Sequence, residues 1–192
     1  SENTALCVYF AETGPVNTGR TLELARARAL VLGIRRILVA TTSGATGVQA
    51  VQSLKGLDLL VVTHSTGFGE PDTQELTPDN RAAIENAGVQ ILTCQHAFGG
   101  VGRAVRKMLD TYQIDEIIAH TLRTFCEGIK VTAEMALMAA DAGLVRTDEP
   151  VIAIAGTASG ADTAVVVKPA NAQGFFDLRF LEIICMPSPW HP

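Results

Sequence analysis

Short aliphatic runs alternate along the chain with longer stretches in which apolar residues recur at helical spacing. The runs Ile34–Thr41, Asp58–Thr63, Val89–Cys94 and Val151–Ala155 are nearly unbroken and rich in Val, Ile and Leu. Such runs predict short strands buried on both faces. A helix is predicted from an N-cap at Asn17 through Leu22, Ala25, Ala29 and Leu32 to a stop at Gly33. A second is predicted from about Gly47 to Leu54. A third starts at Thr77-Pro78, with cap and N1 proline in their preferred order, and runs to Gly88. Arg103, Arg106 and Lys107 open a basic helix, and Leu109–Phe125 reads as helical in pieces. Lys130–Ala142 is an alanine- and methionine-rich helix whose small residues suit close packing on a sheet. Thr4–Phe10 reads as an edge strand or a strap. Ala164–Val167 and Leu181–Met186 read as antiparallel strands closing the sheet at its edge.

Alternation of strands and helices predicts an α/β fold, a three-layer, doubly wound and mostly parallel sheet. With 192 residues, no internal repeat and no linker, a single domain spanning residues 1–192 is expected. Aromatic residues make up only 5% of the chain, so the core is expected to be aliphatic. The 15 basic and 20 acidic residues leave a net charge of −5, which argues against a nucleic-acid or anionic-membrane surface. Cys7, Cys94, Cys126 and Cys185 show no CxxC spacing and read as reduced, structural thiols, consistent with the cytoplasm. No signal-peptide pattern opens the sequence, and no apolar run approaches the ~20 residues of a spanning helix.

The predicted core strands end in loops of one flavour: Thr42-Ser43-Gly44, His64-Ser65-Thr66-Gly67, Gln95-His96 with its glycines, and Gly156-Thr157-Ala158-Ser159-Gly160. In a parallel sheet these ends share one edge, and ligands of open α/β sheets bind outside it. Glycines admit close approach, and a helix start offers free N–H groups to an anion. Thr42, Ser43 and Thr46 add hydroxyls at such a start, although Ser and Thr also serve as plain caps. His64 and His96 are candidate hydrogen-bond donors or acid–base groups, the alternative being ordinary turn histidines. Arg103 reads either as a phosphate partner or as a surface arginine. Asp162 reads either as a contact to a ligand hydroxyl or as an Asx-turn. Lys130 and Glu134, at i,i+4, read as a plain ion pair.

The P-loop pattern GxxxxGK[ST] is absent, as are a strict GxGxxG after the first strand, GxSxG, HExxH and any metal-ligand cluster. No metal site is expected, and no nucleophile–base–orienter set can be assembled from spacing.

Thr41-Thr42-Ser43-Gly44-Ala45-Thr46 resembles the T-x-S-G-x-[ST] phosphate loop of the pyruvate kinase C-terminal domain. More broadly, the chain resembles a family of stand-alone pyruvate kinase alpha/beta domain-like proteins. The matching stretches are Gly14–Thr18, Val39–Thr46, Val62–Glu70, Gln95–Gly100, Thr121–Arg123, Lys130–Gly143, Gly156–Pro169 and Glu182–Pro187, while Val105–Asp115 matches poorly. The resemblance implies a doubly wound domain, a phosphate site at Thr42–Thr46 and flavin mononucleotide (FMN) as occupant. It does not imply kinase activity, which belongs to a barrel domain that this chain is too short to contain.

Loop chemistry and resemblance together give an expected contact set of Asn17, Thr18, Thr42, Ser43, Gly44, Ala45, Thr46, His64, Gly67, Phe68, His96, Arg103, Gly156, Thr157, Gly160, Ala161, Asp162 and Thr163. The expected ligand is FMN or another phosphorylated metabolite, held by a cytoplasmic protein with no nucleic-acid or membrane partner. A homo-oligomer is left open. Three functions compete: a binding protein, a flavin-dependent or sugar-phosphate-processing enzyme with His64 or His96 as acid/base, and a regulatory effector-binding domain.

Overall fold

The computed structural model describes Glu2 and residues 4–188. The strands are β1 (Val8–Phe10), β2 (Arg36–Ala40), β3 (Asp58–Val62), β4 (Gln90–Leu92), β5 (Val151–Ala155), β6 (Thr163–Lys168) and β7 (Arg179–Pro187). The helices are α1 (Thr18–Leu32), α2 (Ala45–Ser53), α3 (Pro78–Asn86), α4 (Gly100–Leu109), α5 (Ile114–Arg123) and α6 (Glu127–Asp141). The strands form one sheet in the order β1-β7-β6-β5-β2-β3-β4. Neighbours pair in parallel except on the two flanks of β6, so β6 alone runs against the rest.

The aliphatic runs are continuous because each strand is covered on both faces. Ile37, Val39, Ile152 and Ile154 pack with Leu22, Ala25 and Ala29 of α1 and Ala50 of α2. Their neighbours Leu38, Val151, Ala153 and Ala155 pack with Met135, Ala136, Met138 and Ala139 of α6. Two apolar layers around one sheet make the three-layer α/β fold that the alternation predicts. Gly128 lets α6 come close to β6, since a Cβ there would run into the Thr163 side chain.

The closing strands differ from expectation in place. β6 and β7 are antiparallel to each other, but β1 pairs beyond β7 and takes the edge. β6 is buried at five successive positions, Thr163 to Val167, and such a strand cannot face solvent at an edge. A three-residue β1 leaves little unpaired ladder exposed.

Helix starts also differ. Asn17 ends a 3-10 turn, Pro15–Asn17, and its side chain donates to the Glu12 carbonyl instead of capping α1. α2 begins two residues early, at Ala45, because Gly44 takes the N-cap at φ 100°. α6 begins a turn before Lys130, where the Cys126 thiol accepts from the Ile129 N–H.

Candidate functional site

Because β2, β3, β4 and β5 are parallel, their carboxyl ends share one edge. A cavity of about 290 Å³ lies there. Thr41, Thr42, Ser43, Ala45 and Thr46 line it after β2, Thr63, His64 and Phe68 after β3, and His96 after β4. Gly156, Ala158, Ser159 and Gly160 line it after β5, and the opposite wall comes from Arg103 of α4, Arg123 of α5 and the first turns of α6. The stretches around Ser43, His64 and Ser159, far apart in sequence, therefore meet.

The loop after β2 is braced from outside. The Thr41 hydroxyl accepts the Gly44 N–H at 3.1 Å. The Ser43 carbonyl accepts from Thr77 N–H at 3.1 Å and from the Asn80 amide at 2.9 Å. Gly44 itself has φ 100°, and a Cβ would overlap the Asn80 and Leu76 side chains, so only glycine fits. Held this way, α2 opens into the cavity with the first-turn N–H groups that every helix start leaves without an intrahelical acceptor. The dipole's positive end and the hydroxyls of Thr42, Ser43 and Thr46 lie beside them.

The loop after β5 is organised by Asp162, which is fully buried. Its carboxylate accepts from the N–H groups of Gly14 at 2.8 Å and Thr157 at 3.2 Å, and from the Thr163 hydroxyl at 2.8 Å. Thr18 supports the same loop by accepting the Ala161 N–H at 2.9 Å. Of the expected contact set, Asn17, Thr18, Gly44, Thr157, Ala161, Asp162 and Thr163 shape loops without lining the cavity, and Gly67 lines a separate hollow beside α4. Asp162 forms no Asx-turn: its partners are Gly14, Thr157 and Thr163, and none is the N–H two residues ahead. Ala158, at φ 61°, is a non-glycine residue in left-handed backbone and lies on the cavity wall.

Aromatic and basic groups form the side facing β3 and β4. His64 stacks on Phe68 with ring centroids 4.0 Å apart, and Phe68 stacks on His96 at 4.9 Å. The Arg103 guanidinium sits 4.8 Å from the Phe68 ring centre. Among the described residues Arg103 has no carboxylate within 4.0 Å. His64 Nδ1 lies 2.6 Å from Glu75 Oε2, an arrangement that fixes the ring, and His64 lines the cavity. His96 Nε2 lies 3.4 Å from the Ser65 backbone nitrogen and Nδ1 lies 3.5 Å from Glu134 Oε2, both at the long end for a hydrogen bond.

The floor is the part that sequence reasoning missed. Lys130 and Glu134 do form the predicted i,i+4 ion pair, but they are 4% and 2% exposed and line the cavity. Glu134 Oε1 accepts the Phe98 N–H at 2.9 Å and Oε2 accepts from Lys130. Burial pushes the Glu134 carboxyl up, but the His96 proton and the Lys130 ammonium outweigh it and hold the group at about 2. The available signal was the pair's spacing near the start of a helix otherwise built of small apolar residues. Arg123 and Glu127, half-buried, pair above it. Arg103, Arg123 and Lys130 stand against Glu127 and Glu134, so the lining is cationic by one charge in a chain of net charge −5.

A larger hollow, about 660 Å³, lies by the amino ends of β2, β3 and β5, but Arg36 there is paired with Asp58 and Arg146 with Glu149. Among the described residues no group of three or more His, Cys, Asp or Glu could hold a metal ion. No described helix is long and apolar enough to cross a membrane. All four cysteines are free thiols. A family model described as pyruvate kinase, alpha/beta domain, matches residues 20–167, which include all four loops of the crevice and α6.

Proposed function

The chain belongs to the pyruvate kinase alpha/beta domain family, and from that premise we propose that its crevice binds a phosphorylated small molecule, FMN first among the candidates. The observation that carries this reading is the start of α2, where free amides and the hydroxyls of Thr42, Ser43 and Thr46 open into a cavity with a cationic wall. A phosphate at that end would meet the first-turn amides of α2 and the Thr42, Ser43 and Thr46 side chains, held in place by the braced loop. The rings of Phe68, His64 and His96, stacked among themselves, line the same cavity and offer apolar edges to a ligand ring. The cavity, near 290 Å³, is at the small end for ligand sites, so an FMN-sized molecule would extend past its mouth.

Titration of FMN and riboflavin against the purified protein, followed by flavin fluorescence, tests the reading. FMN should quench at micromolar concentration and riboflavin only far above it, because riboflavin lacks the phosphate. Equal behaviour of the two would remove the phosphate from the argument.

The His64–Glu75 pair supports a second reading, an enzyme that transfers a proton on the bound phosphate compound. His64→Ala should then abolish turnover and leave phosphate binding intact, whereas unchanged turnover would discard this mechanism.

A further inference from the structure

Helix α4 is turned inside out. Its charged face points into the molecule: the Arg103 guanidinium lies 4.8 Å from the Phe68 ring centre, and Arg106 Nε donates to Glu116 Oε1 at 2.7 Å. Glu116 is itself buried, and the Asp115 carboxylate lies close against Gly102. Val101, Ala104 and Met108, at i, i+3 and i+7, form the opposite face, and all three are exposed, Met108 by 82%. No residue of α4 is buried, and none joins a hydrophobic cluster among the described residues. An amphipathic helix ordinarily lays its apolar stripe on a core and draws most of its stability from that packing. A ten-residue helix is marginal in water by itself.

The apolar surface continues past α4. Leu109, Tyr112, Ile114, Ile117 and Phe125 are each more than half exposed, and Tyr112 joins the two helices by touching Arg106 and His120. With Val101 and Met108 these side chains expose apolar area on the order of hundreds of Å², the scale that marks an interface on a soluble protein. The charges at its flank are few and of both signs. Lys107 and Asp110 are exposed and have no ion-pair partner among the described residues. A lipid surface or a polyanion calls for an excess of cations, but Arg106 is paired with Glu116 and Arg103 faces the crevice. An apolar patch with one free charge of each sign is its own complement.

We propose that the α4–α5 face pairs with the same face of a second copy of this chain. The two-fold axis passes beside Met108 and Leu109 and sets Lys107 of one protomer against the partner's Asp110. Such pairing covers the apolar stripe that α4 turns outward, and it anchors the helix that carries Arg103 to the crevice wall. It does not depend on what the crevice binds.

Sedimentation velocity of the full chain from about 1 to 100 μM, a range that brackets ordinary micromolar association, is the test. Wild type should sediment as two chains at the upper end. Met108→Asp brings two carboxylates together at the axis and should weaken dimerisation by about 30-fold or more, the scale of an interface hot spot. Lys107→Glu should weaken it by about 10-fold through repulsion from Asp110, and the double variant Lys107→Glu/Asp110→Lys should recover it. The charge swap serves as the test by itself if circular dichroism shows Met108→Asp to be unfolded. A wild-type monomer at every concentration overturns the pairing, as does a dimer indifferent to a folded Met108→Asp or to Lys107→Glu, or a double variant no tighter than Lys107→Glu. A monomer that co-sediments with phosphatidylcholine–phosphatidylserine vesicles overturns it as well and gives the face to a lipid surface.

Discussion

At the scale of single residues, the decisive positions are those whose chemistry is set by a neighbour distant in sequence. Asp162 stands in a glycine-rich turn that looks made for a ligand, but Gly14, 148 positions away, supplies one of its donors and draws it into the loop's scaffold. Glu134 shows the reverse. Its carboxyl is held at about 2 against a burial effect that alone would raise it. A carboxylate whose folded value lies below the unfolded one, about 4.3, adds stability that is complete above the unfolded value and disappears as pH falls toward the folded one. Wild type should therefore lose stability between about pH 4.3 and pH 2 through this group. Glu134→Gln should cost several-fold more in the unfolding constant at pH 7 than at pH 2.5, as urea melts at the two values would show. An equal cost at both would mean that the carboxylate is not held in this way.

At the scale of elements, α6 links packing to chemistry. Its small residues bring it onto the sheet, and the same approach sets Lys130 and Glu134 under the strand ends. Gly128 is where the approach is closest. Alanine is the better helix former by about 1 kcal/mol, so on propensity alone Gly128→Ala would stabilise. The clash with Thr163 points the other way, and overpacking typically costs 1–3 kcal/mol. A net loss of stability is expected in chemical denaturation, and a gain would show that α6 and β6 are not in such contact. The start of α6 lay a turn earlier than its apolar pattern suggests. Glu127 and Gly128 carry no apolar signal, and the cap is a cysteine, which does not announce a helix start as Ser or Asp does. Thr77-Pro78 was legible for the opposite reason: both residues have strong positional preferences there, and Thr77 does accept the Asn80 N–H.

At the scale of the whole molecule, the parallel order of β4, β3, β2 and β5 turns separate loops into one crevice. A ligand that bridges these loops binds the folded state alone and should raise its stability by about 2.7 kcal/mol at a hundredfold excess over Kd. For a chain of this size that is a rise of roughly 5–10 °C in Tm. FMN at saturating concentration should produce it and riboflavin should not; a flat response to FMN would count against the flavin. The sequence alone determined the strands, the layers and the edge at which the loops gather, because buried strands demand unbroken aliphatic runs and helix ends demand particular residues. It also made the Thr41–Thr46 loop legible as a helix start, although the Asn80 and Leu76 side chains that exclude a Cβ at Gly44 come from more than 30 residues along the chain. Only the tertiary structure decided that β6 lies inside the sheet, that Asp162 serves its own loop, and that Lys130 and Glu134 form the floor of the cavity. Each of those depends on a partner far along the chain, and spacing within a segment carries no information about what the fold will place against it.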